Sequence, residues 1–427
     1  MSPGGNNTAL VRSQFVPLSL DKKIINDALI QNGNAIEQVG FMTISDGALR
    51  LDMAGGEFCG NATRSAAYLS LNGEPGELEM SVSGVSEKIR AGVTSSGDAY
   101  ARVPVNLSLE QITVTDKGLI VPMEGITHYV IQGNADSNDP EEKKQQAMSL
   151  LKAQGLSKGP AAGVIWANND VIDPVVYVRD VDTCFNETAC GSGTMALAIA
   201  RISANQKIDG PMRVQQPSGG FIDVSVEVED NIVRYATISG PVENLGTGAL
   251  RQLKNGEKSY IFDVNAKSIE QLLKEGTLPN LYQDVFSKPP YNEVFTLEEV
   301  NNFFRGYSEN GIVKIAKVGG LVSGFAATIP LGIQTDVLEL MRKNGYPSDI
   351  AYFAELGVRD DMRRKGLGQQ LVQESMLDVS GDIVLRTQEN NVGAIKLYGR
   401  MGFTQIPDVT QSVSDTDIRI FMIKNGN

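Results

Sequence analysis

The chain has 427 residues, 41% of them apolar, which is room for two to four domains with ordinary buried cores. Its formal charge of −13 repels nucleic acid and anionic lipid, and no extended basic arm offsets it, so small-molecule ligands are expected. Three cysteines and one histidine, His128, leave little for a disulfide scaffold, a His/Cys metal site or a Ser-His-Asp triad, and with no signal-like start and no apolar run near the roughly 18 residues of a membrane span, a cytoplasmic protein with reduced thiols is expected.

In chain order, the first clear element is an alternating strand pattern at Leu49, Leu51 and Met53. It runs into Gly56-Glu57-Phe58-Cys59-Gly60-Asn61-Ala62-Thr63, which predicts a helix opening at Cys59, and an alternating strand follows at 78–82. His128 comes next, with packing and pocket roles both open. Then the order recurs. Val176 and Val178 alternate, Asn186-Glu187-Thr188-Ala189-Cys190-Gly191-Ser192-Gly193-Thr194 opens a second helix, and the helical spacing continues at Met195, Ala198, Ile199 and Ile202 before a strand at 221–226. This repeat predicts two related α/β lobes, 1–115 and 116–248, with a cleft between them. A cysteine at a helix start meets unpaired N–H groups and the positive end of the macrodipole. Each thiol is therefore expected to fall below its usual pKa of about 8.5, and two such thiols facing one pocket suit cofactor-independent racemisation. Cys184 reads as core.

Six ordered stretches carry a family likeness: Ser2-Pro3-Gly4-Gly5-Asn6-Asn7-Thr8, Glu37-Gln38-Val39-Gly40-Phe41, the Cys59 motif, His128-Tyr129-Val130-Ile131, the Cys190 motif and Gln216-Pro217-Ser218-Gly219-Gly220. Over residues 1 to about 248 they resemble the diaminopimelate epimerase superfamily and, more closely, its histidine racemases associated with opine-type metallophore synthesis. The resemblance implies a mechanism without pyridoxal phosphate or metal, in which Cys59 and Cys190 act as a thiolate/thiol pair on opposite faces of Cα. It implies that the substrate carboxylate sits on N–H groups at Gly60 and Asn61 and at Gly191, Ser192, Gly193 and Thr194, where helix starts favour negative charge. Asn6 and Asn61 match positions that hold the substrate's amino and carboxylate groups, a turn or cap role being the alternative. Glu37 and Glu187 are candidates for orienting the α-ammonium, against a solvated or capping role. The chain departs from diaminopimelate epimerases, which carry Glu-Arg-Gly before the second cysteine and Asn-Pro-His in the middle. Here those regions read Arg179-Asp180-Val181-Asp182 and Gly125-Ile126-Thr127-His128. An amino acid with a smaller or basic side chain is expected instead, histidine first.

Residues 249–257 are polar and turn-rich and predict a linker. A third domain, 258–427, then opens with a strand at 260–264, helical segments at 268–274 and 297–304, and a hairpin of 312–317 with 321–329 turning at Gly319-Gly320. Glu355-Leu356-Gly357-Val358-Arg359, Arg363-Arg364-Lys365-Gly366-Leu367-Gly368 and the run from Asn390 to Phe403 together resemble the GNAT N-acetyltransferases. The resemblance implies acetyl-CoA as cofactor. Its pyrophosphate would lie on the helix start at Arg363, Arg364, Lys365, Gly366, Leu367 and Gly368. Val358 would sit beside the thioester, Asn391 would orient the cofactor, Tyr398 would protonate the departing thiolate, and Glu355 would serve as base for the amine. The plain alternatives are a solvated first turn for the basic run and packing for Tyr398. Segment 332–348 is expected to help form the acceptor pocket.

The expected fold is therefore α/β (α+β): two pseudo-symmetric epimerase-like lobes and a GNAT-type domain. The expected function is a two-cysteine amino-acid racemase fused to an acetyl-CoA-dependent N-acetyltransferase, with an amino acid as substrate, no nucleic-acid or membrane partner, and a homodimer left open. One alternative is an N-acetyltransferase whose first half only binds substrate or regulates; another is a redox sensor in which the two thiols pair.

Overall fold

Period-two alternation has its usual consequence in strand Ala48–Met53, which buries Leu51 and Met53 and delivers the chain to the turn before Cys59. The computed structural model describes residues 1–12, 18–33, 35–45, 47–206, 208, 210–414 and 417–426. They divide into two units, Met1–Ile30 with Asn34–Asn244, and Gln31–Gly33 with Leu245–Asn427.

The first unit is one topology used twice. Its seam is the antiparallel pairing of Ala99–Ser108 with Ile232–Gly240. Outward on one side follow Ile89–Val93, Gly76–Val82, Ala48–Met53, Gln38–Ser45 and Thr8–Arg12, paired antiparallel, antiparallel, parallel, antiparallel and parallel. On the other side follow Phe221–Glu229, Met212–Gln215, Val171–Val178, Ala161–Asn168 and Ile126–Gln132, with the same senses in the same order. Parallel neighbours need a crossover connection. Helix Gly60–Ser70 crosses from Ala48–Met53 to Gly76–Val82, and helix Gly191–Ser203 crosses from Val171–Val178 to Met212–Gln215. The two lobes expected from the repeat are these halves. Ala62 and Ala66 of one helix and Met195, Ala196 and Ile199 of the other join Leu51, Val214 and Ile222 in one core cluster.

The second unit begins earlier than the sequence predicts. Residues 249–257 are not a linker: Gly248–Gln252 is a strand paired antiparallel with Lys258–Val264, followed by a turn. An edge strand whose side chains bury little carries no apolar alternation, so its composition reads as a loop. Eight strands follow the order Gly248–Gln252, Lys258–Val264, Ile312–Val318, Leu321–Pro330, Ala351–Val358, Ile383–Gln388, Asp417–Lys424 and Thr404–Ser414 among the described residues. The hairpin turns at Gly319 and Gly320, with φ of 58° and 81°, as expected of paired glycines. Helix Leu297–Asn310 opens on a Thr296/Glu299 capping box and continues past Phe304. Helix Thr277–Phe286 is absent from the sequence reading because it has no side-chain cap and carries Pro279 in its first turn. Segment 332–348 contains helix Thr335–Lys343. Ala351–Val358 and Ile383–Gln388 are parallel and in register only at Ala351↔Ile383 and Tyr352↔Val384.

Candidate active site

Each half ends its crossover loop on a cysteine that opens a helix. Cys59 caps Gly60–Ser70 with φ −134° and ψ 110°, its Sγ accepting the Ala62 N–H at 3.3 Å. Cys190 caps Gly191–Ser203 with φ −129° and ψ 107°, its Sγ accepting the Gly193 N–H at 3.2 Å. The helix starts meet. A Cβ on Gly60 would lie 3.7 Å from the Gly191 backbone and 2.5 Å from Ile238 Cδ1; one on Gly191 would lie 3.4 Å from the Asn61 nitrogen and 2.8 Å from Ile238 Cδ1. Glycine permits that approach. Asn61 Nδ2 ties the halves by donating to the Ala189 carbonyl at 2.8 Å. Gly60, Asn61, Gly191 and Ser192 line one cleft with Cys59 and Cys190, and their N–H groups have no acceptor within their own helices.

Gly193 and Thr194 are not in that lining. Their N–H groups serve the cap, Gly193 to the Cys190 sulfur and Thr194 to the Cys190 carbonyl. The Asn61 side chain is likewise committed to the protein, accepting from Arg64 at 3.0 Å. Asn6 is fully buried behind the cleft and donates to Glu37 Oε2 at 2.9 Å, so its contact is with Glu37.

The cleft is acidic. Glu37, Glu57 and Glu187 line it, and none of its lining residues is Lys, Arg or His. Glu37 also accepts the Thr188 N–H at 2.9 Å, and Glu187 Oε1 accepts from Gln38 Nε2 at 2.9 Å. Gln38 Oε1 in turn accepts the Cys59 thiol. Burial raises all three carboxyls, Glu57 to about 7 and Glu187 to about 8.

The expectation that the helix starts depress the thiols is overturned. Burial pushes Cys59 and Cys190 well up, the charge of Glu187 pushes them further, and the N–H groups of Ala62 and Gly193 offset only part of this. In the ligand-free protein both are thiols. A desolvated sulfur beside carboxylates loses more than one helix start returns.

Behind the cleft, His128 is fully buried, 2.9 Å through Nε2 from Ser192 Oγ, which lies 3.6 Å from Cys190 Sγ. Burial lowers its pKa to about 3, so the ring is neutral. Gln216 Oε1 accepts the Cys190 N–H at 2.9 Å. Arg64 is fully buried, bonded to Asn61 and to the Gly240 carbonyl; burial brings it down to about 10, and the field of a Cys59 thiolate would reach it. Gln38 and Glu57 stand inside motifs noted in the sequence, but nothing there singles them out. Arg64 gives no sequence signal either, since a helical arginine ordinarily faces water. Cys184 is half-buried at the margin of a small core cluster.

In the second unit, Glu355 lies on Ala351–Val358 and its Oε1 accepts from Tyr307 at 2.9 Å and Tyr282 at 3.2 Å, two donors unforeseen in the sequence. Burial raises it to about 7. Tyr398 is buried edge-on to Phe353 and Phe403, and burial raises its pKa well above the usual value. Asn391 caps helix Val392–Arg400 through Oδ1 and donates from Nδ2 to Tyr291 at 2.9 Å. Gly366, with φ 100°, opens helix Leu367–Met376, and Arg364 beside it is exposed with φ 64°. Arg363 and Lys365 pair with Asp360 and Glu257 at 3.1 and 3.5 Å. Val358 ends the strand that parts from Ile383–Gln388, and Gly368 packs 3.5 Å from its side chain by the position of an added Cβ.

A duplicated α/β fold thus brings two cysteine-capped helices to one acidic cleft, and a domain with parted parallel strands and a glycine-led helix follows it in the chain. Residues 1–250 match the family described as histidine racemase CntK N-terminal domain, and the chain belongs to that family. Residues 309–405 match the acetyltransferase (GNAT) domain. The histidine racemase of Fusobacterium nucleatum subsp. nucleatum is 28% identical over 262 residues, 58% of this chain and 94% of that protein. The histidine racemase of Staphylococcus aureus is 25% identical over 268 residues, with the same shares. Among solved structures, a ribosomal-protein-alanine N-acetyltransferase from Brucella melitensis aligns with 39% of this chain and 98% of its own, at 16% identity and a TM-score of 0.30. Among the described residues no helix is long and apolar enough to cross a membrane, and no group of His, Cys, Asp and Glu could hold a metal ion.

Proposed function

We propose that the chain is a bifunctional enzyme: the first unit inverts Cα of an amino acid, histidine first, without pyridoxal phosphate or metal, and the second transfers an acetyl group to the amine of an amino acid or a related compound. The observation that carries this reading is a matched pair of thiols lining one cleft with two helix starts and three carboxyls. The N–H groups of Gly60, Asn61, Gly191 and Ser192 would hold the substrate carboxylate and the charge that spreads onto it as the α-proton leaves. Glu37 and Glu187 would hold the α-ammonium. Its positive charge offsets the carboxylate field that raises both thiols. Cys190 would release its thiol proton to water as the substrate ammonium enters beside Glu37 and Glu187, and as thiolate take the α-proton. Cys59 would then give its proton to the other face of Cα and become the thiolate that serves the reverse direction.

In the second unit, the edge of Ala351–Val358 and the helix start at Gly366, with Arg363, Arg364 and Lys365, would hold acetyl-CoA, which supplies the acetyl group as a thioester. Glu355, near neutrality between two tyrosines, would take the amine's proton, and Tyr398 would protonate the departing thiolate.

The test is proton NMR in D2O of the reduced protein with a panel of L-amino acids and no acetyl-CoA, following loss of the Cα–H signal. Histidine should exchange. Cys59→Ser and Cys190→Ser should each nearly abolish exchange and leave acetylation intact; near wild-type exchange in either variant sinks the two-thiol assignment. Acetylation without exchange of any substrate would leave the first unit as a binding or regulatory half.

A further inference from the structure

Two of the three carboxylates in the cleft are held by other side chains. Glu37 accepts from Asn6 and Thr188, and Glu187 from Gln38. Glu57 is different. It is 8% exposed, lines the same cleft, and draws only on the backbone N–H groups of Glu57 and Gly55, and its Oε2 has no hydrogen-bond partner. The space beside Gly55 that a Cβ would fill lies 2.8 Å from Glu57 Oε2, 2.3 Å from Val178 Cγ1 and 3.4 Å from Val181 Cγ2. The orphan oxygen therefore sits beside two valines that also line the cleft. Lys22 and Asp180 are charged groups whose fields reach it, but neither lines the cleft, and Lys22 pairs with Asp52 at 3.8 Å.

A buried acceptor without a donor is costly and rare, and at the wall of a ligand cleft the missing donor belongs to the ligand. The amino-acid frame is already served. Its carboxylate takes the helix-start N–H groups, and its ammonium takes Glu37 and Glu187. We propose that Glu57 is the subsite for the substrate's side chain, accepting an N–H from a basic nitrogen group whose apolar faces lie against Val178 and Val181. This rests on the racemase reading and sharpens it. The substrate class is the α-amino acid with a short side chain ending in a nitrogen donor, an imidazole being the form whose flat faces suit two valines. Neutral side chains of similar length leave Glu57 unpaired and are disfavoured.

The test measures binding by calorimetry and α-proton exchange by NMR for L-histidine and L-methionine, on the intact protein and on Glu57→Gln. The wild type should prefer histidine. In Glu57→Gln, histidine binding and kcat/KM should fall roughly ten- to a hundred-fold, as for loss of a hydrogen bond to a charged group, while methionine stays within about threefold. Equal losses for both amino acids, or no loss for histidine, overturn the proposal. If Glu57→Gln does not fold, the two ring N-methylhistidines decide it on the wild type: one isomer should bind as histidine does and the other should weaken by the same factor, and equal binding of both with histidine overturns it. The two readings fail separately. Preferential histidine binding without α-proton exchange removes the racemase reading and keeps the subsite; exchange of histidine and methionine at equal rates removes the subsite and keeps the racemase.

Discussion

Glu187 shows how one buried residue ties stability to pH. Unfolded, a glutamate ionises near pH 4.3 or so; folded, Glu187 is raised to about 8 and Glu57 to about 7, chiefly by burial. Between those values the folded chain binds more protons than the unfolded one, so stability falls as pH rises. His128 acts in the opposite sense. Buried and lowered to about 3, it refuses a proton that the unfolded chain takes below about pH 6.5, so it costs stability as pH falls through that window. Thermal unfolding of the ligand-free first unit should show a melting temperature that drops between pH 5.5 and 8 or so, with a drop smaller by roughly 6–12 °C in Glu187→Gln, the equivalent of about 3 kcal/mol. Parallel pH profiles for the two proteins would refute this. At this scale the sequence yields what it says twice: Cys59 and Cys190 stand out because two motifs match. Gln38, Glu57 and Arg64 do not, because their roles come from burial and from partners far along the chain.

Among the elements, the start of helix Gly191–Ser203 is tightly specified. A Cβ on Gly193 would meet Ile165 Cδ1 at 2.6 Å and Cys190 Sγ at 3.0 Å. The isoleucine end can swing away, but the sulfur can yield only by leaving the place from which it reacts. Gly193→Ala should therefore stay folded while α-proton exchange falls at least about tenfold, mostly in kcat, since a misplaced reacting group costs on that scale; unchanged kcat would show that the thiol has room to move. Helices and strands with a periodic apolar face were legible, including both cysteine helices and the glycine hairpin. Strand Gly248–Gln252 was not, because an edge strand has no buried face to pattern. Helix Thr277–Phe286 was not, because its first turn lacks a cap and holds Pro279, so Leu278, Leu281, Tyr282 and Val285 had no start signal.

For the whole molecule, the break that matters falls before residue 245. The eight strands of the second unit and the duplicated sheet of the first each close around their own core clusters. Chains cut between Asn244 and Leu245 should each express as folded protein with a single cooperative transition, exchange activity staying with the first piece and acetyl transfer with the second; an unfolded 245–427 piece would show that its sheet depends on the other unit. A cut at Gly248 or later removes an edge strand and should do worse.

The seam between Ala99–Ser108 and Ile232–Gly240 has a different consequence. Eight residue pairs hold it, and it lies where the two copies of the topology join. A single copy would end there in a bare, mostly apolar edge, which in water recruits another edge of the same kind. Each half therefore covers the exposed edge of the other, and each brings one thiol to the cleft. Held in one chain, the two halves need not match residue for residue. Gln38 attends one sulfur and Ser192 the other.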